Sequence, residues 1–272
     1  MATDPCAPYT VTAPDGAQLT ACAHGGHVLG WTPAGGRPRL WLSPTSECGP
    51  GLAIRGGIPV IFPQFAGRGP LPKHGLARNR GWQVVETQGA LWRAVLTDDA
   101  ATREIWPHRF ELSLTARAEG DRLDTTLTVR NTGDAEWAFT AALHTYLMLG
   151  DPDALIHGLG GRTAEDNSAA GAPTTLGPPG AGLRATARRD VAVPGVSQPL
   201  TLDDGVLGPL VLTTEGFDDR VIWNPGPDHG LADVPDGGER NFVCIEAAQL
   251  TAIMIQPTNI WSGRQTLVVG KA

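Results

Sequence analysis

The strongest constraint on the fold is an alternation of apolar and polar residues in the middle of the chain. Every second residue over 110–118 is apolar, and a similar alternation resumes over 123–129 after the short connection Glu119-Gly120-Asp121. A repeat of two residues places alternate side chains on opposite faces of a β-strand. Two such segments joined by a tight turn predict an antiparallel hairpin.

Further strand-like segments recur along the chain and are separated by clusters of Gly, Pro and Asp. They lie at residues 39–43, 138–143, 210–214, 242–246, 252–256 and 266–269. No amphipathic helix stands between them, which disfavours a βαβ arrangement and a Rossmann-type nucleotide site. The recurring strands predict an all-β fold, an antiparallel β-sandwich. Since the sequence has neither internal repeats nor a change of composition, we expect a single domain over residues 1–272. The Gly- and Pro-rich segment 169–182 is predicted to be a long surface loop.

The charge of the chain excludes several kinds of partner. The sequence carries 21 Lys and Arg against 28 Asp and Glu, and this net charge of −7 disfavours binding to nucleic acid or to an anionic membrane. The N-terminus lacks the segments of a signal peptide, and no apolar stretch approaches the roughly 18 residues that cross a bilayer. We therefore expect a cytoplasmic protein, in which an anionic ligand would need a locally basic pocket.

The cysteines give no sign of a metal site or of a disulfide framework. Cys6, Cys22, Cys48 and Cys244 lie far apart, without a CxxC pair and without His or Cys partners at the spacing of a zinc site. The sequence also lacks a phosphate-cradling Gly loop of nucleotide-binding type. We expect a protein that works without a metal or another cofactor.

Two arginines occur within the segments of least ordinary composition, residues 54–65 and 73–79. Arg55 and Arg78 lie there among glycines and prolines that restrict the backbone. Because a guanidinium group offers a planar fork of donors that matches phosphate oxygens, two arginines from neighbouring loops would form an anion clamp. The alternative is that both are surface or ion-paired residues, which is the usual state of isolated charges.

A histidine and a glutamate stand out for the apolar residues around them. His144 ends an apolar run, and imidazole is the side chain whose ordinary pKa suits proton transfer near neutral pH. Glu246 lies within the apolar segment 243–248, where a carboxylate usually has a partner or a purpose. Each alone is more typical of a structural residue, such as a core histidine or half of a salt bridge. Together they would supply an acid and a base.

Five separated segments resemble the motif series of the aldose 1-epimerase superfamily, and their order and spacing are most similar to those of the hexose-6-phosphate mutarotases. The segments are residues 54–63, 74–79, 144–146, 223–226 and 244–247, and the resemblance extends from about residue 25 to residue 266. It implies a galactose-mutarotase-like supersandwich. It also implies that His144 acts as general acid, Glu246 as general base, and Arg55 and Arg78 as substrate contacts.

The chain departs from the family pattern in two places. Lys73 precedes the His-Gly pair where the family usually has Gln or a similar residue, and this lysine would add a phosphate contact. The substrate-binding aspartate of the family normally begins a segment similar to DRVY, for which we take residues 189–193 as the counterpart and Asp190 as the ligand. His74, Tyr146 and Trp223 are candidates for lining the pocket and are left out of the catalytic set.

The resemblance implies mutarotation of a hexose 6-phosphate, so the expected partner is a small sugar phosphate. We also expect the protein to be a monomer. In this reaction a base takes the proton of the anomeric hydroxyl while an acid protonates the ring oxygen, so the ring opens and then closes on the other face of the carbonyl. One alternative is an epimerase of unphosphorylated aldoses, which would need no basic clamp. Another is a carbohydrate-binding sandwich without activity, since a fold alone does not specify catalysis.

Overall fold

Strands make up almost all of the regular structure in residues 4–270, the part of the chain that this computed structural model describes. In chain order they are β1 (Pro8–Thr12), β2 (Gln18–Cys22), β3 (His27–Thr32), β4 (Val60–Ile61), β5 (Gln83–Gln88), β6 (Leu91–Thr97), β7 (Phe110–Glu119), β8 (Arg122–Asn131), β9 (Trp137–Leu143), β10 (Tyr146–Met148), β11 (Leu155–His157), β12 (Thr163–Asp166), β13 (Ala172–Thr175), β14 (Leu183–Arg184), β15 (Arg189–Val193), β16 (Leu200–Asp203), β17 (Leu210–Glu215), β18 (Asp219–Asn224), β19 (Phe242–Ile255) and β20 (Ile260–Val269).

The hairpin predicted from the alternating segment is confirmed. Strands β7 and β8 pair antiparallel along their whole length, from Phe110 opposite Asn131 to Glu119 opposite Arg122. Gly120 turns the chain between them with a φ of +59°, a conformation that glycine adopts without strain. The apolar set of each strand faces the interior, as the two-residue repeat requires.

Two large antiparallel sheets enclose the main core, and the predicted all-β sandwich is confirmed. One sheet has the order β14-β11-β16-β17-β20-β8-β7-β6-β5, and the other has the order β13-β12-β15-β18-β19-β9-β4, with β10 also paired to β19. Leu114 and Leu127 from the first sheet and Phe139 and Ile245 from the second belong to one buried cluster. Burial of such side chains stabilises the fold by about 1.5–3 kcal/mol each. A smaller sheet, β1-β2-β3, stands beside them.

The structure corrects three details of the strand prediction. Residues 39–43 form only isolated bridges, through Leu40 and Leu42, and the predicted strands 242–246 and 252–256 are parts of one long strand, β19. The predicted surface loop 169–182 contains the edge strand β13, which pairs with β12. This strand has the sequence Ala-Pro-Thr-Thr and exposes most of its side chains, so it carries no apolar alternation. Proline is tolerated there because one side of an edge strand needs no ladder partner.

The described residues contain one short α-helix, α1 (Ala100–Ile105). Asp99 caps it: its carboxylate accepts a hydrogen bond from the backbone N–H of Thr102, while the hydroxyl of Thr102 accepts one from the backbone N–H of Asp99. This capping box satisfies donors that the first turn of a helix leaves free. No helix within residues 4–270 combines the length and the apolar character needed to cross a bilayer.

A disulfide bond joins Cys6 to Cys48, against the expectation that the cysteines would not pair. Their Cα atoms lie 6.0 Å apart although 42 residues separate them in the sequence. The pairing brings the N-terminal segment onto the long loop before Arg55, a contact that residue spacing alone does not indicate. Cys22 and Cys244 are buried free thiols.

Candidate active site

Strand β19 carries Glu246 through the interior of the protein. Its neighbours Ile245 and Ala247 face the core between the two large sheets, so the pleat turns Glu246 to the opposite side. On that side the carboxylate lines a cavity of about 1070 Å³. Residues 242–249 of β19 are all buried, which means that both faces of this part of the strand are covered.

His144 lies in the short break between β9 and β10, both of which pair with β19. Its backbone N–H donates to the carbonyl of Pro59 at 3.0 Å. The next residue, Thr145, donates its hydroxyl to Oε1 of Gln265 at 2.6 Å, deep in the interior. These bonds fix the break and hold Nε2 of His144 3.4 Å from Oε1 of Glu246.

Burial makes the charged form of each group unfavourable. His144 is 7% exposed and Glu246 is 1% exposed. Burial lowers the pKa of His144 well below its usual range, with help from the positive charges around Arg78 and Arg55. Burial raises the pKa of Glu246 well above its usual range, and the charge of Asp190 acts in the same direction. Each shift therefore favours the neutral form of its group.

Each member of the pair keeps one polar atom unpaired. Among the described residues, neither Nδ1 of His144 nor Oε2 of Glu246 has a hydrogen-bond partner, although both atoms are buried. Buried polar atoms in proteins nearly always have a partner, so these two atoms are free to pair with a ligand or with water.

Aromatic rings form one wall of the site. The ring of Tyr146 stacks on that of His144, with centroids 4.9 Å apart and planes 11° from parallel. Trp223 meets both rings edge to face, at 5.9 Å from His144 and 6.0 Å from Tyr146. The indole is partly exposed and lines the cavity. It is therefore placed to contact the apolar face of a sugar ring.

Arg55 is held in position by groups of the protein. Its Nε donates to Asp233 at 3.0 Å and its NH1 to the hydroxyl of Tyr146 at 2.9 Å. The guanidinium group also lies 5.8 Å from the centroid of the Trp223 ring. The carboxylate of Asp233 balances the charge of Arg55, and two nitrogens of the guanidinium group already donate hydrogen bonds within the protein. Arg55 therefore has only its remaining N–H donors free for a ligand in the cavity.

Arg78 has no such carboxylate. It lies in a 3₁₀ turn, Ala77–Asn79, and its NH2 makes one long bond of 3.4 Å to the carbonyl of Lys73. Its Nε is buried without a partner, and no ion pair within residues 4–270 includes it. Burial lowers the pKa of Arg78, but a guanidinium group stays charged at neutral pH. Arg78 is thus a half-buried positive charge in the cavity that has no carboxylate of the described residues in contact.

The loop that carries Arg78 is shaped by a close backbone approach. Gly75 has a φ of +71°, and a Cβ at this position would meet the carbonyl oxygen of Phe62 at 2.1 Å. The preceding His74 also has a positive φ, 68°, and its ring meets that of His144 at 5.8 Å. Burial lowers the pKa of His74 to about 3, and the charge of Arg78 adds to this effect. His74 is therefore neutral, while Lys73 is exposed at the rim.

Asp190 faces the same cavity from β15, directly opposite Trp223 of β18 in the strand pairing. Its Oδ1 accepts a hydrogen bond of 2.7 Å from the side-chain amide of Asn167. Arg68 in turn donates to Oδ1 of Asn167 at 3.1 Å and to Glu165 at 2.8 Å. This chain of contacts orients the aspartate at the edge of the site.

The cavity brings all six candidate residues of the sequence analysis together, although they come from distant parts of the chain. They are Arg55, Lys73, Arg78, His144, Asp190 and Glu246. The sequence analysis missed three residues that position them: Asp233 beside Arg55, and Arg68 and Asn167 beside Asp190. They lie outside the matched segments, and no local pattern points to them.

A segment closer in letters to DRVY than residues 189–193 occurs at the start of β18, Asp219-Arg220-Val221-Ile222. Its aspartate does not line the cavity. Instead, the two oxygens of Asp219 accept hydrogen bonds from the backbone of Gly195 and of Leu250, at 3.2 and 2.8 Å. The structure thus gives Asp219 backbone contacts and gives Asp190 the place beside the acid and base candidates.

Comparison with known proteins identifies the family of this chain. The family model for aldose 1-epimerase matches residues 8–267, nearly the whole chain. The chain belongs to the aldose 1-epimerase family. The resemblance drawn from the five sequence segments is confirmed.

Relatives within the family cover most of the chain. A protein of Salmonella typhimurium, named as a candidate glucose-6-phosphate 1-epimerase, is 32% identical over 241 residues, which are 84% of this chain and 78% of the relative. A protein of Escherichia coli K12 with the same name is 33% identical over 240 residues, 82% of this chain and 77% of the relative.

Solved structures of the family share the fold. A candidate mutarotase from Salmonella typhimurium superposes with a TM-score of 0.85 at 28% identity, covering 97% of this chain and 90% of that protein. A galactose mutarotase related enzyme from Lactobacillus acidophilus gives a TM-score of 0.75 at 15% identity, covering 97% and 98%. The galactose-mutarotase-like sandwich expected from the resemblance is confirmed.

Proposed function

We propose that this chain interconverts the α and β anomers of a hexose 6-phosphate, as a glucose-6-phosphate 1-epimerase, by general acid–base catalysis. The observation that carries the proposal is the buried pair of His144 and Glu246, which lines one cavity together with Arg78, an arginine without a carboxylate in contact among the described residues. Relatives named as candidate glucose-6-phosphate 1-epimerases at 32–33% identity support the same substrate.

In the proposed cycle, ring opening and ring closing use two arrangements of one proton on the pair in turn. With the proton on His144, the carboxylate of Glu246 takes the proton of the anomeric hydroxyl while the imidazolium protonates the ring oxygen, and the C1–O5 bond breaks. The open-chain aldehyde then faces a neutral histidine and a protonated glutamate. After rotation about the C1–C2 bond, the same two transfers run backwards and close the ring on the other face of the carbonyl.

This cycle returns the enzyme to its starting state without a net gain or loss of protons. Positioned acid–base groups accelerate such transfers by about 10²- to 10⁴-fold. The burial of His144 and Glu246 assists catalysis because charges that form away from bulk water interact more strongly. Both acid and base come from residues of this chain, and the step needs neither a metal nor a redox cofactor.

The remaining residues bind and orient the substrate. Trp223 lies against the sugar face, and Asp190 accepts hydrogen bonds from ring hydroxyls. Arg78 binds the phosphate through its free guanidinium atoms, with Lys73 at the rim and with the remaining donors of Arg55. All of these residues belong to one chain, so we propose that the protein acts as a monomer.

The test is anomerisation of glucose 6-phosphate, measured by saturation-transfer NMR at equilibrium. We expect exchange well above the spontaneous rate with the wild type, and a much smaller gain with unphosphorylated glucose. The variant Glu246→Gln should lose nearly all activity because an amide keeps the shape of the side chain but cannot accept the proton. Glu215→Gln is the matched control, because Glu215 belongs to an exposed salt bridge and does not line the cavity.

The possible results separate the alternatives. Exchange of glucose as fast as that of glucose 6-phosphate would indicate an epimerase of unphosphorylated aldoses. Binding of the sugar without any acceleration would indicate a carbohydrate-binding sandwich. Wild-type turnover by Glu246→Gln would remove Glu246 from the role of base.

A further inference from the structure

A second cluster of chemically reactive side chains lies outside the active site. Cys6, His24 and Cys48 bring together two sulfurs and a ring nitrogen, all within 4.8 Å of one another. None of the three lines the cavity that contains His144 and Glu246. The two cysteines are joined as a disulfide, so the structure shows the oxidised form of the cluster.

The spacing of the two cysteines also suits a shared metal ion. Two sulfurs bound to one Zn²⁺ at about 2.3 Å lie about 3.8 Å apart, whereas the sulfurs of a disulfide lie about 2.0 Å apart. Rotation about the Cα–Cβ bonds of two residues whose Cα atoms are 6.0 Å apart covers this difference of about 1.8 Å. Reduction would therefore give two thiols that can reach metal-binding separation without a backbone rearrangement.

His24 is oriented as histidine ligands of metals usually are. Its Nε2 lies 2.7 Å from the backbone carbonyl oxygen of Leu52. Because a carbonyl only accepts hydrogen bonds, Nε2 carries a hydrogen, which leaves Nδ1 as the ring nitrogen available to a metal ion. A ligating histidine commonly donates its other ring N–H to such a carbonyl, which fixes the tautomer and the ring plane. The side chain is buried, at 2% exposure, so this orientation is held by packing.

We propose that the reduced form of this cluster binds a thiophilic divalent cation, with Zn²⁺ as the first candidate. The ligands are Sγ of Cys6, Sγ of Cys48 and Nδ1 of His24, and water completes a tetrahedral site. A dithiol reductant supplies two electrons and two protons, which break the S–S bond and give two thiols, while the reductant leaves as its own disulfide. Metal binding then releases the two thiol protons. Exchange with a small-molecule disulfide reverses this step: the disulfide takes two electrons and two protons and leaves as two thiols, the Cys6–Cys48 bond forms again, and the ion loses two ligands and is released.

The position of the site gives the metal a structural role. Arg55 follows Cys48 by seven residues, and the carbonyl that accepts the bond of His24 belongs to Leu52 in between. The disulfide ties this segment to the N-terminal part of the chain. In a reducing environment, where thiols do not stay paired, the metal would provide the same tether.

The test is a metal titration of the full-length protein after reduction with a phosphine and removal of the reductant without air. Cd²⁺ is the probe, because thiolate ligands give it a charge-transfer band in the ultraviolet, and competition with a chromophoric chelator gives the affinity for Zn²⁺. We expect saturation at one ion per chain. Cys6→Ser and Cys48→Ser should each lose the saturable band, and His24→Asn should bind at least about 10-fold more weakly.

Controls keep the result specific. Cys22→Ser removes a buried thiol next to His24 that is not part of the cluster, and it should bind like the wild type. Circular dichroism should show that Cys6→Ser remains folded, and Zn²⁺ should protect two thiols of the reduced wild type from a thiol reagent. The absence of a saturable band from the reduced wild type would overturn the proposal. Binding by Cys6→Ser equal to that of the wild type would overturn it as well.

Discussion

Removal of the Arg78 side chain tests the proposed phosphate site most directly. Arg78 makes one long hydrogen bond to the carbonyl of Lys73 and no ion pair among the described residues. Arg78→Ala therefore removes few contacts within the protein itself. Arg55→Ala would instead leave the carboxylate of Asp233 and the hydroxyl of Tyr146 without a partner, so its effect would mix binding with disruption of the site.

The expected loss follows from the bonds that a guanidinium group makes to a phosphate. A hydrogen bond to a charged group contributes about 1.5–3 kcal/mol, which corresponds to roughly 10- to 100-fold in affinity. Glucose has no phosphate and should lose much less. Loss of Arg78 also removes a positive charge that lowers the pKa of His144. This second effect acts on both substrates and cancels in their ratio.

The quantity to measure is kcat/KM for glucose 6-phosphate divided by kcat/KM for glucose, at fixed ionic strength. We expect Arg78→Ala to lower this ratio roughly 10- to 100-fold. Arg80→Ala is the matched control, because Arg80 lies two residues further along and does not line the cavity. An unchanged ratio in Arg78→Ala would refute the reasoning. A wild-type ratio near one would shift the function to unphosphorylated aldoses.

Two further predictions concern residues that sequence reasoning did not find. Asn167→Ala should raise KM roughly 2- to 10-fold with little change in kcat, because Asp190 loses the amide that orients it. Steady-state kinetics measure both constants. A fall in kcat at constant KM would contradict the prediction. Burial lowers the pKa of His27 to about 4 from 6.5. The unfolded chain therefore gains a proton below pH 6.5 that the folded chain does not accept until about pH 4, so stability falls as the pH is lowered through this range. At pH 5 the loss due to His27 is about 2 kcal/mol. Urea unfolding at pH 7.5 and pH 5 measures how far the free energy of unfolding falls between the two pH values. This fall should be about 2 kcal/mol smaller in His27→Gln than in the wild type. An equal fall in both proteins would contradict the prediction.

The parts of the fold that were predictable from the sequence are those in which a strand has one buried face. In β7 and β8 the apolar side chains alternate with more exposed ones, so the two-residue repeat is visible and the hairpin follows from it. The edge strand β13 exposes most of its residues and shows no repeat. The sequence therefore predicts a loop here, because the strand conformation of β13 comes from pairing with β12 and not from its own pattern.

The candidate site was predictable only residue by residue. The motif series pointed to His144, Glu246, Arg55 and Arg78, but the contacts that position them join segments far apart in sequence. Asp233 reaches Arg55 across 178 residues. The disulfide of Cys6 with Cys48 depends in the same way on how the N-terminal segment packs. Local patterns hold no information about such pairings.

The direction of Glu246 shows why the structure was needed for the chemistry. Residues 242–249 of β19 are buried on both faces, so this stretch reads as a continuous apolar run in which the two-residue repeat is hidden. The face that each residue occupies is set by the register with β9 and β18, where Ala247 lies opposite Leu143 and Glu246 opposite Val221. A slip of one residue would turn the carboxylate into the core between the sheets and away from His144. The acid–base pair therefore depends on the register of a strand whose sequence does not reveal its own orientation.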